Sequence, residues 1–217
     1  AMKGKPFIKW VGGKGQLLSQ LDELLPSSFA SIPDVTYIEP FGGGGAMLFH
    51  MLSEHPNIQR AIINDINPTL IHCYRLIQQD CGVLIRELRM IENEYNKQET
   101  FEDKKAFYYK LRVEYNSTEV SNRNTPHTAA LFIFFNKTCF NGLYRENHHG
   151  DFNVPFGKYV HPTICNEKVL NDAHDALQRV EILQGNYKNV IDHIDWREYN
   201  FFYFDPPYRP LWGANNF

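Results

Sequence analysis

Val35-Thr36-Tyr37-Ile38 reads as a short buried strand that runs straight into Glu39-Pro40-Phe41-Gly42-Gly43-Gly44-Gly45 and an apolar helix, Ala46 to Leu52. β-branched and aromatic residues suit a pleated strand, and a proline followed by four glycines ends it. A second apolar run, Ala61-Ile62-Ile63, ends in Asn64-Asp65-Ile66-Asn67-Pro68 and leads into another helix from Thr69 to Ile77. Two strand-turn-helix units in tandem leave few options. Each helix returns the chain to the same end of the sheet, so the strands lie parallel and the expected fold class is α/β.

Val180-Glu181-Ile182-Leu183 and Asn200-Phe201-Phe202-Tyr203-Phe204 supply strands three and four. Between the second and third strands the pattern turns helical, with Val83, Leu84, Leu88, Ile91, Tyr95, Phe101, Phe107, Tyr108 and Leu111 in a stretch without strand signals. This reads as an insertion. A further apolar helix, Thr125 to Thr138, opens at Pro126, and Asn141-Gly142 then marks a tight turn and a candidate hairpin. At the other end, Leu17, Leu18, Leu21, Leu24 and Leu25 recur at helical spacing and stop at Pro26, behind Gly12-Gly13. The expected organisation is one sheet domain from 1–78 and 166–217, interrupted by a subdomain at 79–165.

With 217 residues, 43% hydrophobic and 22% charged, there is material for a packed core and too little polarity for disorder. No run approaches the ~18 apolar residues of a membrane span, and no signal-like segment opens the chain, so a cytoplasmic location is the default. Cys73, Cys81, Cys139 and Cys165 are scattered without metal-ligand spacing, so they read as core thiols and no metal is expected. The net charge of -3 is an average. Residues 1–20 carry Lys3, Lys5, Lys9 and Lys14 and no acid, residues 121–145 carry Arg123, Lys137 and Arg145 and no acid, and 166–205 hold eight acids against four bases. Two basic segments therefore stand apart from an acidic one, which keeps a polyanionic partner open despite the overall sign.

Three motifs carry chemistry. Asp205-Pro206-Pro207-Tyr208 ends strand four, placing a carboxylate and a main-chain carbonyl at the carboxyl edge, where parallel sheets bind ligands. An exocyclic amine such as adenine N6 is a poor nucleophile because its lone pair is delocalised into the ring. Asp205 and the Pro206 carbonyl could each accept one of its N–H bonds and turn that lone pair toward an electrophile, with Tyr208 stacking on the base. The bland alternative is a polar turn. The glycine-rich turn after strand one permits close backbone approach to a cofactor at a helix N-terminus. Asp65, 26 residues after Glu39, stands where an acid accepts hydrogen bonds from ribose hydroxyls, or caps the next helix; the two readings are compatible. Lys9-Trp10-Val11-Gly12-Gly13-Lys14 combines charge, an aromatic ring and a glycine pair, and equally fits a helix lead-in.

In order along the chain, Lys9 to Lys14, Glu39 to Gly44, Asn64-Asp65-Ile66-Asn67, Asn136-Lys137-Thr138-Cys139-Phe140-Asn141-Gly142-Leu143-Tyr144-Arg145, Phe152-Asn153-Val154-Pro155-Phe156-Gly157-Lys158-Tyr159 and Asp205-Pro206-Pro207-Tyr208 resemble the motifs of the Dam-type DNA adenine-N6 methyltransferases. The resemblance covers the chain except about 80 to 125. It implies a Rossmann-like class I methyltransferase sheet, S-adenosylmethionine as cofactor and double-stranded DNA as substrate. Trp10, Lys14, Glu39, Phe41, Gly42, Gly43, Asp65 and Asp205 match cofactor-binding positions, and Asp205, Pro206 and Tyr208 the catalytic ones. Gly185-Asn186-Tyr187 matches a wall of the adenine pocket. The insertion is expected to read DNA through Asn136, Lys137, Phe140, Asn141, Leu143, Arg145, Asn147, Lys158 and Tyr159, and Lys9, near the start of the chain, matches a further base-contacting position.

Within that set Arg145 can donate two hydrogen bonds to guanine O6 and N7, Leu143 can pack on a thymine methyl, and Phe140 can wedge between base steps, against a bland reading as hairpin packing. A base buried in a duplex must be flipped out to reach Asp205. The implied site is GATC, and a restriction endonuclease of the same system is a candidate partner. Family members continue beyond D-P-P-Y, whereas here Arg209-Pro210-Leu211 is followed only by Trp212 to Phe217, so in the order 3-2-1-4 strand four is expected as an apolar edge. A catalytically silent chain that binds DNA or cofactor, and an N-methyltransferase acting on RNA or a protein amide, are the alternatives.

Overall fold

The computed structural model describes residues 4–12 and 18–206. Its elements in chain order are α1 (Leu18–Leu24), β1 (Val35–Glu39), α2 (Ala46–Glu54), β2 (Ile58–Asp65), α3 (Pro68–Asn96), α4 (Phe101–Ser117), α5 (Pro126–Thr138), α6 (Glu167–Leu177), β3 (Val180–Gln184) and β4 (Tyr199–Phe202). The four strands form one parallel sheet in the order β3-β2-β1-β4. This is the α/β, Rossmann-like arrangement, and the whole stretch from α3 to α6 lies in the crossover between β2 and β3.

Strand alternation divides the core. Val35 and Tyr37 of β1 and Ala61 and Ile63 of β2 face the helices and join the main apolar cluster, whereas Ile38 and Ile62 point to the opposite face and meet Val190 and Ile194. Among the described residues that second cluster is covered by the 3₁₀ segment Tyr187–His193 and the following Ile194. The same alternation shapes β4 and its continuation. Phe201 and Tyr203 pack against the main cluster, while Phe202 and Phe204 are 41% and 57% exposed. Among the described residues β4 pairs only with β1, so the edge strand expected from the sequence is present, with half of its rings outward.

Two elements differ from the sequence reading. The second-unit helix runs past Ile77 to a kink at Asp80 (φ -150°, ψ 62°), beyond which a second helical segment continues α3 to Asn96. The break in the helix therefore falls at Asp80, close to the expected boundary at 78. The candidate hairpin is reduced to two isolated antiparallel bridges, Cys139 with Phe156 and Glu146 with Phe152, closing a long loop. Its turn is present all the same, since Asn141 and Gly142 both have positive φ, 61° and 64°. α5 supports this loop from inside. Ala129 to Phe135 are buried without interruption, as in a helix surrounded by protein, and Thr125 and Thr128 form a reciprocal capping box at its start. All four cysteines are free and buried.

Candidate active site and adjoining loop face

The carboxyl ends of β1, β2 and β4 bring three acids together. Glu39 closes β1, is 3% exposed and accepts a hydrogen bond from the Tyr37 hydroxyl at 3.1 Å. Burial pushes its carboxyl up to about 8 from 4.5, the charges of Asp205 and Asp65 push the same way, and the Tyr37 hydrogen bond opposes them. Asp65 ends β2. Its Oδ2 accepts the Gly43 amide at 2.9 Å and its Oδ1 the Asn67 amide at 2.9 Å. The helix cap itself is Asn67, whose Oδ1 accepts from the amides of Thr69 and Leu70. Asp65 is thus bound to the glycine turn and remains partly exposed.

Sterics explain the glycines. A Cβ on Gly42 would stand 2.4 Å from Ile63 Cγ1 of β2. Gly45, at φ +83°, caps α2 in the left-handed region, and a Cβ there would meet the Tyr74 hydroxyl at 2.5 Å. Tyr74 in turn donates to the Gly43 carbonyl at 2.8 Å. Asn64 is a site-shaping residue to which the sequence reading gave no role. Its Nδ2 donates to the carbonyls of Pro40, 3.1 Å, and Gly185, 3.0 Å, so one buried amide spans the turns after β1 and β3. The available signal was its place in Asn64-Asp65, directly after the apolar run Ala61-Ile62-Ile63.

Beyond β4 the chain keeps its register for one more bond, from the Tyr203 amide to the Ile38 carbonyl at 3.0 Å, which carries Asp205 to the end of β1. Three rings gather there. Phe41 lies 5.3 Å from Tyr187 and 5.1 Å from Phe204, and Tyr187 lies 5.9 Å from Phe204, centroid to centroid. Tyr187 and Phe204 are 38% and 57% exposed, so the crevice has an open aromatic wall beside its acids. Pro206 is the last described residue of this end; Tyr208 and Lys14 lie outside the described residues.

The expected DNA-contacting residues divide into two groups. Lys9, Phe140, Asn141, Arg145, Lys158 and Tyr159 are exposed, with Leu143 half-buried among them. Lys9 Nζ donates to the Asn141 carbonyl at 3.2 Å, and both the Lys9 stem and the Tyr159 hydroxyl stand within 4 Å of where a Gly142 Cβ would be. Of the other three, Asn136 and Lys137 face inward, and Asn147 is half-buried with its side-chain oxygen bonded within the loop. Asn136 is 2% exposed and spends its amide on main-chain atoms of Lys9 and Gly142, so it cannot reach a nucleic acid. Lys137 points the other way from α5 into a small cavity with Phe7, Leu88 and Asn166, where burial lowers its pKa. Asn147 Oδ1 accepts from the amides of His149 and Asp151, building the loop tip instead of presenting its carbonyl outward. One helical step, 100° per residue, separates Asn136 from Lys137 and explains why adjacent residues face different neighbours.

Behind the exposed face lies a buried polar network. The Tyr144 hydroxyl donates to Glu146 at 2.5 Å and shares a hydrogen bond with Tyr115 at 2.7 Å. Arg123, counted above in a basic segment, is 2% exposed. It donates to the carbonyls of Thr118 and Gly150, lies 4.1 Å over the Tyr115 ring and is 4.0 Å from Glu146. Its charge serves the loop and not the surface. The Tyr144 ring packs on Phe132 at 4.2 Å and stacks on Trp10 at 6.0 Å and 12°.

A parallel sheet in this order, with a glycine turn after β1 and acids at three strand ends, is a Rossmann-like layout of the kind that binds nucleotide-containing cofactors. The model of the D12 class N6 adenine-specific DNA methyltransferases matches residues 10–217. The chain is 43% identical over 216 residues to the type II methyltransferase M.MjaIII of Methanocaldococcus jannaschii, covering all of this chain and 73% of that protein. It is 34% identical to the type II methyltransferase M1.LlaDCHI of Lactococcus lactis subsp. cremoris over 95% of this chain and 66% of that protein. It is 31% identical to the DNA adenine methylase of Haemophilus influenzae over 100% of this chain and 68% of that protein. The chain belongs to the D12 class N6 adenine-specific DNA methyltransferase family. No helix among the described residues is long and apolar enough to cross a membrane.

Proposed function

We propose that this protein transfers a methyl group from S-adenosylmethionine to adenine N6 within GATC in double-stranded DNA, after flipping the target base out of the helix. The observation that carries the reading is the convergence of Glu39, Asp65 and Asp205 at the carboxyl ends of the strands, with Lys9 of the N-terminal segment and Phe140 and Arg145 of the loop exposed nearby. The crevice fits the cofactor. The turn leaves no room for side chains at Gly42 and Gly45, Asp65 has acceptor capacity left for ribose hydroxyls, and the buried Glu39, whose pKa burial raises, can ionise beside a cationic partner. Trp10, Phe41, Gly42 and Gly43 complete the set, with Lys14 from the sequence. When bound, S-adenosylmethionine supplies a methyl group activated by a positively charged sulfur.

The chain's own residues then orient and exclude. Asp205 and the Pro206 carbonyl accept the two N–H bonds of the target amine and hold its lone pair toward the methyl donor, while Tyr208 stacks on the flipped base. The rings of Phe41, Tyr187 and Phe204 keep water from one side of the crevice. Outside it, Arg145 reads a guanine edge, Leu143 packs on a thymine methyl, Lys9 makes a further base contact, Phe140 wedges between base steps, and Lys158 and Tyr159 hold the backbone. The work is done where DNA is, in the cytoplasm, and the type II names of two relatives support pairing with a restriction endonuclease of the same specificity.

The test is incubation of the protein with labelled S-adenosylmethionine and duplexes that contain or lack GATC. Label is expected in adenine of the GATC duplex, and Asp205→Ala is expected to abolish it while DNA binding stays within about threefold. Methylation retained in Asp205→Ala, or label on cytosine, would overturn the assignment.

A further inference from the structure

Asn136 sits near the end of α5 and all of its hydrogen bonds go to main-chain atoms. Its Oδ1 accepts the Lys9 amide at 2.9 Å, and its Nδ2 donates to the Lys9 carbonyl at 2.6 Å and to the Gly142 carbonyl at 3.1 Å. Receiving the N–H and capping the C=O of one residue is what a neighbouring strand does in a ladder. Here a single carboxamide does it, and its second donor reaches the turn that carries Phe140, Leu143 and Arg145. Lys9 returns the link by donating from Nζ to the Asn141 carbonyl at 3.2 Å.

The next residue extends this knot toward the other site. A Cβ on Gly43 or Gly44 would lie 3.1 Å from the Trp10 side chain, so the indole rests directly on the glycine turn. The same indole stacks on Tyr144, whose hydroxyl is fixed by Tyr115 and Glu146. Two consecutive residues, Lys9 and Trp10, therefore stand between the turn after β1 and the loop turn at 140–145. Asn136 is the group that fixes the Lys9 backbone from which Trp10 follows.

We propose that Asn136 is a positioning residue that holds Lys9 and the 140–145 turn as one DNA-reading surface and, through Trp10, ties that surface to the cofactor turn. This rests on the reading of Lys9 and Arg145 as base contacts. Asn136 touches no base, yet base discrimination depends on it, because a register error between Lys9 and Arg145 weakens both contacts at cognate and altered sites to different extents.

The experiment compares the wild type with Asn136→Asp, which keeps volume and the acceptor for the Lys9 amide but replaces two donated hydrogen bonds by carboxylate-to-carbonyl repulsion. Asn136→Ser, shorter and uncharged, answers the same question if the first variant does not fold. Hydrogen exchange of the 140–146 amides is followed with and without S-adenosylhomocysteine. Binding is expected to slow exchange in the wild type and to leave it unchanged in the variant. The ratio of methylation at the cognate site to sites altered by one base pair is expected to fall about tenfold or more, with S-adenosylhomocysteine affinity within about threefold. Unchanged discrimination in a folded variant, or equal exchange protection in both proteins, would overturn the proposal. If the wild type methylates no DNA, the functional reading fails, and the exchange comparison still decides whether Asn136 joins the two turns.

Discussion

The Asp65 carboxylate and the Gly43 amide meet at 2.9 Å, joining the end of β2 to the turn that follows β1. A carboxylate that accepts main-chain hydrogen bonds on both oxygens is both a ligand and part of the scaffold. Asp65→Ala therefore leaves two amides without partners and removes the proposed ribose acceptor. Expected are a loss of about 1–3 kcal/mol in stability and disappearance of the thermal shift that S-adenosylhomocysteine gives the wild type. Asp65→Asn keeps an acceptor for one amide and should restore most of the stability but not the shift. A ligand-induced shift of wild-type size in the alanine variant would remove Asp65 from the cofactor site.

Glu39 gives a pH signature whose sign follows from its surroundings. A carboxyl with a higher pKa folded than unfolded holds more protons in the folded state across the interval between the two values, so stability falls as pH rises through it. That interval runs from 4.5 to about 8. At its steepest the slope is about 1.4 kcal/mol per pH unit, and Glu39→Gln removes it. Urea unfolding of both proteins between pH 5 and 9 measures the difference, and parallel curves would show that Glu39 is ionised throughout. A cation beside Glu39 reverses the burial penalty, so S-adenosylmethionine binding near pH 7 should release a proton, read as a calorimetric enthalpy that varies with the buffer.

Gly45 tests whether the turn is shaped by sterics alone. Alanine there must adopt φ near +83° and bring its methyl to 2.5 Å from the Tyr74 hydroxyl and 2.9 Å from Phe49. Strain plus loss of the Tyr74 to Gly43 hydrogen bond should cost more than about 2 kcal/mol. Adding Tyr74→Phe removes the nearest obstacle, so the double variant should be less destabilised than the sum of the singles. Strict additivity would mean that the backbone conformation accounts for the whole cost.

The strands and the glycine turn were legible because burial on two faces and a break at Glu39-Pro40 leave local marks in the sequence, whereas their order came only with the family resemblance. The acids at the strand ends were legible for the same reason, since a strand end fixes where its last side chain goes. The loop was harder. Asn136, Lys137 and Asn147 stand in a motif rich in polar residues, and composition cannot tell which of them turns inward; one helical step separates the buried knot at Asn136 from the cavity at Lys137. Arg123 reads as surface charge until Tyr115, Glu146 and the carbonyls of Thr118 and Gly150 are brought around it by contacts between residues as many as 27 positions apart. The Trp10 to Tyr144 stack spans 134 positions and has no local signal at all.

Phe140 offers a separation of reading from flipping. It is 55% exposed at the start of the tight turn, and its backbone amide donates to the Pro155 carbonyl at 2.8 Å, a bond that does not involve the ring. Phe140→Ala should change stability by less than about 0.5 kcal/mol. If the ring wedges into the duplex to offset the cost of unstacking, removing it raises the barrier to flipping a paired adenine more than that of one already mispaired. Methylation of a fully paired duplex is then expected to fall about 10- to 100-fold, with much of the loss recovered when the target adenine stands opposite a mismatched base. Equal losses on both substrates would instead make Phe140 a simple binding contact, and no loss on either would leave its exposure without a part in the reaction.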